Sequence, residues 1–212
     1  MKEKRFLLFD NDGVLVDTEQ WYFRANVEIL KTMGLHLEAA RYMEIMIEGR
    51  SAFELAEEAG YTPEAVEAAR ERRNLLYQHY LRTEEIAIPG ALEVVRALSE
   101  RFDMAIVTSA LREDFELIHR DRGLTEPMKF VLCSGEYPRA KPHPDPYLKA
   151  AELLGARREE ALIVEDSERG LRSAVAAGID CAVVANPFTR SHDFSKASVR
   201  LENLHELAVL LL

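Results

Sequence analysis

A chain of 212 residues with 48% hydrophobic residues is long enough to bury one good core and a smaller second one, which excludes a disordered polymer. Its net charge of −10, from 27 Lys and Arg against 37 Asp and Glu, argues against a nucleic-acid-binding surface and against a basic membrane-binding face. An anionic substrate would therefore need local positive charge, from a metal or from a few chosen Lys and Arg.

The first element in chain order is the apolar run Phe6-Leu7-Leu8-Phe9, the pattern of a strand buried on both faces of a parallel sheet. It ends in Asp10-Asn11-Asp12-Gly13. Extended alternation would point Asp10 and Asp12 to the same side, beyond the carboxyl edge of the sheet. Two carboxylates that close repel unless a cation or a shared proton lies between them. From about Thr18 to Arg82 only helices are expected. Thr18 would cap a helix through Met33 that Gly34 stops, and a second helix would cover Glu38 to Ile47. Ser51 with Glu54 forms a capping box for a third, and Thr62-Pro63 starts a long helix through about Tyr80. This block reads as a helical module, residues 17–87, inserted into a core made of residues 1–16 and 88–212.

From Ile88 onward helix and strand alternate. Helices are expected at Ala91–Arg101, Arg112–Arg120, Pro146–Leu154, Arg169–Ala177 and Leu201–Leu212. Strands are expected at Met104–Val107, Phe130–Cys133, Ala161–Val164 and Cys181–Val184. Repeating units of this kind imply a doubly wound parallel α/β sheet covered by helices on both faces. Cys133 and Cys181 stand in strand-like runs and read as buried free thiols. No apolar run is long enough to span a bilayer, and MKEKRFLLFD lacks a signal-peptide apolar region, so a cytoplasmic location is the expectation.

In open sheets of this class the ligand sits at the carboxyl ends of the strands. The polar residues of this chain fall there: Asp10 and Asp12, then Thr108 and Ser109, then Glu165 and Asp166, with Lys141 in the stiff loop Ala140-Lys141-Pro142-His143-Pro144-Asp145. Carboxylate oxygens with no His or Cys nearby suit a hard ion such as Mg²⁺. His36, His79, His119 and His143 show no metal spacing and read as ordinary surface or packing residues. Asp17 and Asp145 read as turn or cap residues.

FDNDGVLVDTE, IVTS, AKPHPD and IVEDSERGLRSAVAAG resemble, in that order, the four motifs of haloacid dehalogenase superfamily hydrolases with a helical cap. The resemblance is strongest to the subgroup of β-phosphoglucomutase and small sugar-phosphate phosphatases. It implies Asp10 as the nucleophile that forms an aspartyl-phosphate, and Asp12 as general acid and then base, its backbone carbonyl also ligating Mg²⁺. Asp166 would be a metal ligand, and Glu165 a further ligand or an outer partner. Thr108, Lys141 and the backbone N–H groups of Asn11 and Ser109 would hold the phosphoryl oxygens. The cap would open and close on hinges near Val14–Asp17 and Arg82–Pro89. In the mutases an arginine follows the serine of the cap loop. Here that place is Ala52 and Arg50 precedes Ser51, so Arg50 is either a substrate contact or a surface residue beside a helix cap.

The expected activity is Mg²⁺-dependent hydrolysis of a small phosphorylated metabolite by a monomer or weak dimer, without nucleic acid or membrane. The alternatives are a phosphomutase using the same aspartyl-phosphate and a non-catalytic binding protein on the same scaffold. A true dehalogenase is disfavoured because its relatives lack the second aspartate, present here as Asp12.

Overall fold

A computed structural model describes residues 3–212. In chain order its elements are β1 (Phe6–Phe9), α1 (Glu19–Thr32), α2 (Ala39–Ile47), α3 (Glu54–Glu58), α4 (Pro63–Thr83), α5 (Ala91–Ser99), β2 (Asp103–Val107), α6 (Arg112–His119), β3 (Met128–Leu132), α7 (Asp145–Leu154), β4 (Ala161–Glu165), α8 (Glu168–Ala177), β5 (Asp180–Val184), β6 (Val199–Leu201) and α9 (Leu204–Leu211). They fall into two compact units, one of Met1–Asp17 with Ile86–Leu212 and one of Thr18–Glu85.

The first unit carries a six-stranded sheet in the order β3-β2-β1-β4-β5-β6 with every neighbouring pair parallel. The direction of winding reverses between β1 and β4, the point where such sheets bind ligands. Leu7, Leu8 and Phe9 are wholly buried. Full burial of each is worth about 1.5–3 kcal/mol relative to exposure, which is why β1 is a continuous apolar run and does not alternate. Phe6, Leu8, Ala105, Val107, Ile163, Cys181 and Val183 pack with Tyr147, Ala150 and Ala151 of α7 and Leu171, Ala174 and Ala177 of α8. The alternate strand residues Leu7, Met104, Ile106, Leu162, Val164 and Ala182 are equally buried, so both faces of the sheet are covered. Both cysteines are free and buried.

The second unit contains helices and no strand among the described residues. On α1 the buried residues Ala25, Asn26, Ile29 and Leu30 recur at helical spacing, as do Val66, Ala69, Tyr77, Tyr80 and Leu81 on α4. Thr62 accepts a hydrogen bond from the Ala65 N–H and so caps α4 as its sequence implies. Two expected caps differ. The Thr18 side chain makes no capping bond to α1. Ser51 Oγ accepts from the Phe53 N–H at 3.2 Å, so α3 starts only at Glu54, although Glu54 does reach back to the Ser51 N–H at 3.4 Å. At the other end of the chain, Leu201, read as the first residue of the last helix, instead closes β6, and the helix starts only at Leu204. That three-residue edge strand pairs Leu201 with Val184, and Asn203 then caps α9 through the Glu206 N–H. No helix among the described residues is long and apolar enough to cross a membrane.

Candidate active site

Parallel strands in register set their last residues side by side. Phe9 pairs with Ile106 on one side and Val164 on the other, and the Asp10 N–H donates to the Val164 carbonyl at 2.8 Å. Asp10 after β1, Thr108 after β2, and Glu165 at the end of β4 with Asp166 behind it are therefore neighbours. Carboxylate oxygens of Asp10, Glu165 and Asp166 lie within 4.8 Å of one another.

Lys141 is inserted into this cluster and almost completely buried. Its Nζ donates to Asp10 Oδ1 at 2.6 Å, to Glu165 Oε1 at 2.8 Å and to the Val107 carbonyl at 3.0 Å. The ammonium also lies 4.8 Å from the centre of the Tyr147 ring, and the Tyr147 hydroxyl donates to Glu165 Oε1 at 2.6 Å. Glu165 Oε2 accepts from Ser167 Oγ at 3.0 Å and from the N–H groups of Asp166 and Ser167 at 3.2 and 3.3 Å. Both oxygens of Glu165 are thus occupied by protein donors, which fits the outer of its two expected roles, as the anchor of Lys141.

Two glycines make room for these carboxylates. A Cβ on Gly13, whose φ is +81°, would stand 2.0 Å from Asp166 Oδ2, and one on Gly170 would stand 1.8 Å from Glu165 Oε1. The Asp166 backbone is tied by Thr189, whose hydroxyl donates to the Asp166 carbonyl at 2.7 Å. Asn186 Nδ2 donates to the Gly13 carbonyl at 3.4 Å. Sequence reading passed over both Asn186 and Thr189, which lie in a loop without a periodic signal.

Asp12 lies beyond the end of the strand. β1 stops at Phe9, and the N–H groups of Val14, Leu15 and Val16 all converge on the Asn11 carbonyl. Strand alternation therefore does not carry through Asp12, and its carboxylate is not one of the three that cluster. Asp12 Oδ2 instead accepts from Thr108 Oγ1 at 3.2 Å and from Asn11 Nδ2 at 3.3 Å. Thr108 is wholly buried, and Ser109 beside it is half-buried. Of the two readings, surface or packing, His119 takes the second: it is buried, and its Nε2 lies 2.7 Å from Asn11 Oδ1. A signal for this existed, since His119 follows buried Phe115 by one helical turn on α6. Arg50 belongs to the helical unit, where its guanidinium pairs with Glu48 and Glu54.

Burial first, then the Glu165 charge, with a smaller push from Asp12, drive the Asp10 pKa up to about 7 against the pull of Lys141. Burial also opposes the charge on Lys141, but Asp10 and Glu165 outweigh it and hold its pKa above the usual lysine value. Burial would likewise raise Glu165. Lys141, Tyr147 and Ser167 overcome that and keep it below the ordinary carboxylate range. Three carboxylates thus face one ammonium. The donor set is oxygen only and holds an excess of negative charge, so the residues fit a hard divalent cation.

This charge imbalance has a measurable consequence. A carboxyl whose pKa is raised on folding binds more protons folded than unfolded between its ordinary value of 3.8 and about 7, so its contribution to stability falls as pH rises through that window. Glu165 has the opposite sign, but its window lies below its ordinary value of 4.5. Asp10 should therefore pull the melting temperature in EDTA down as pH rises toward about 7, while His119, whose pKa burial lowers to about 4, pulls it up below its ordinary value of 6.5, and added Mg²⁺ should raise the melting temperature more at about pH 8 than at about pH 5. A Mg²⁺ shift of equal size at both values would contradict this electrostatic account.

The profile of the haloacid dehalogenase-like hydrolases matches residues 7–184. The chain belongs to that family. It is 32% identical over 212 residues to hexitol phosphatase A of Escherichia coli, covering 99% of this chain and 95% of the relative. It is also 32% identical over 187 residues to the chloroplastic protein SUPPRESSOR OF QUENCHING 1 of Arabidopsis thaliana, covering 84% of this chain but only 17% of that much longer protein. Among solved structures, CbbY from Rhodobacter sphaeroides in complex with phosphate superposes with a TM-score of 0.81 at 24% identity, covering 96% of each chain, a likeness of fold. With this family and these relatives the chain is an enzyme of the phosphatase kind.

Proposed function

We propose that this hydrolase cleaves a small phosphomonoester through a covalent phosphoryl group on Asp10, and that the ester is a sugar or sugar-alcohol phosphate. The observation that carries the reading is the Asp10 carboxylate held at 2.6 Å by buried Lys141 beside Glu165 and Asp166. A carboxylate meeting an anionic phosphoryl group is repelled unless positive charge is fixed where the two meet. Lys141 supplies part of it from a position that Glu165, Tyr147 and the Val107 carbonyl leave little freedom to change.

In the proposed first step Asp10 attacks phosphorus in line with the leaving oxygen, and Asp12 gives that oxygen its proton. In the second, Asp12 takes a proton from water, which attacks the phosphoryl group and releases inorganic phosphate and free Asp10. Thr108, Ser109 and Asn11 lie on the loops that would line the phosphoryl oxygens. Asp10 and Asp166, with the Asp12 carbonyl, would hold Mg²⁺, which when bound supplies the remaining charge neutralisation. The choice of a hexitol or sugar phosphate is supported by the near full-length similarity to hexitol phosphatase A. We assign substrate choice to the helical unit.

The test is hydrolysis of p-nitrophenyl phosphate and of a panel of hexitol and sugar phosphates, with Mg²⁺ and with EDTA. Phosphate release that needs Mg²⁺ and is fastest on a member of the panel is the expected result. No turnover of any ester would overturn the proposal.

A further inference from the structure

We infer that His119 is a positioning residue which, through the side chain of Asn11, orients Asp12 for proton transfer to the leaving group. The inference rests on the function proposed above and goes beyond it, because His119 touches neither substrate nor metal ligand. Asn11 is wholly buried and bridges the two groups, its Oδ1 lying 2.7 Å from His119 Nε2 and its Nδ2 lying 3.3 Å from Asp12 Oδ2. The chemistry of the far end settles the direction of the chain. A carboxylate accepts hydrogen bonds, so Asn11 must turn its NH₂ to Asp12 and its carbonyl to the histidine. The histidine must then present an N–H at Nε2, and its Nδ1 carries no proton.

The surroundings of the ring agree. His119 Nδ1 is buried with no partner among the described residues, and the ring lies against Phe115 with centroids 4.4 Å apart. A charged imidazolium there would bury a second donor unpaired. Burial, with a contribution from Arg122, accordingly holds the ring neutral and takes its pKa down to about 4. Neutral His119 with its proton on Nε2 locks the amide of Asn11, and the amide, with Thr108 Oγ1 at 3.2 Å, pins Oδ2 of Asp12 from two sides. With the amide free to turn over, its carbonyl would face the carboxylate and drive it away. A carboxylate displaced by a fraction of an ångström still carries its charge but no longer meets the leaving oxygen.

The experiment compares wild type, His119→Phe, Asn11→Leu, the double variant and His119→Gln on two esters. p-Nitrophenolate leaves without help, whereas an alkoxide from a hexitol phosphate needs a proton. For His119→Phe we expect kcat/KM to fall about tenfold on the alkyl ester and less than about threefold on p-nitrophenyl phosphate, carried by kcat. Asn11→Leu, a change in the phosphoryl-binding loop, should lose at least as much on the alkyl ester, adding His119→Phe to it should cost little further, and Gln at 119, which keeps a donor near the Nε2 position, should restore most of the activity of His119→Phe. Equal losses on both esters, additive effects, or no loss at all would overturn the inference. A reading that does not depend on turnover or on metal is the ¹⁵N spectrum of the His119 ring in metal-free protein. Protonated Nε2 with unprotonated Nδ1 is expected, and the opposite tautomer would overturn the relay. A wild type inactive on both esters would instead remove the phosphatase reading.

Discussion

Asp10→Asn should leave a folded protein whose phosphatase turnover is down by about 10³-fold or more. The substitution keeps shape and removes only the charge and lone-pair basicity that attack on phosphorus requires. Lys141 would retain the Val107 carbonyl and Glu165 as partners. The buried cluster would also lose one of its three mutually repelling carboxylates. Activity and stability should therefore part company, with kcat collapsing while the melting temperature in EDTA stays level or rises at about pH 8. Relative to wild type its stability should rise as pH increases from about 4 to about 7, because the group whose pKa is raised to about 7 is gone. Wild-type turnover in this variant would place the nucleophile elsewhere.

Gly170→Ala tests the support beneath the reacting group. Gly170 lies in the first turn of α8, and by helix propensity alone alanine would stabilise the fold by about 1 kcal/mol. The new methyl would fall within 2.2 Å of three Glu165 carboxylate atoms. A flexible, exposed Glu would step aside. This one is wholly buried and held by Lys141, Tyr147 and Ser167. Relieving the overlap means shifting α8 or breaking the buried ion pair, and breaking such a pair costs about 3–5 kcal/mol. That exceeds the propensity gain, so the variant should be destabilised by about 2–4 kcal/mol in denaturant unfolding and should lose activity as Lys141 loses its anchor. A more stable, fully active Gly170→Ala protein would show that Glu165 does not hold Lys141 in place.

What could be read from residues alone follows from which forces act locally. A strand buried on both faces must be apolar throughout, so FLLF and ALIV announce themselves, and charge placed directly after them at Asp10 and at Glu165-Asp166 stands out. Lys141 could be suspected from its stiff loop, but its three partners lie 24 to 131 residues away and only the fold assembles them. The His119–Asn11 contact spans 108 residues and leaves no mark on either neighbourhood beyond a histidine on a buried helix face. β6 escaped because three residues of an edge strand with one exposed arginine carry no usable period. Strand alternation is no warrant for where Asp12 points, because period-two geometry ends where the strand does, at Phe9.

The helical segment leaves the sheet-bearing unit after Asp17 and returns at Ile86, and those two residues are joined by a hydrogen bond of 2.9 Å from the Asp17 N–H to the Ile86 carbonyl. Val16 and Ala87 form a bridge just inside it. Departure and return are so close that the core closes on itself whatever length of chain is looped out between them, and the entropy of that closure grows only slowly with length. The insertion is therefore a cassette: its sequence can drift, shorten or be exchanged while the sheet-bearing unit keeps its closed path.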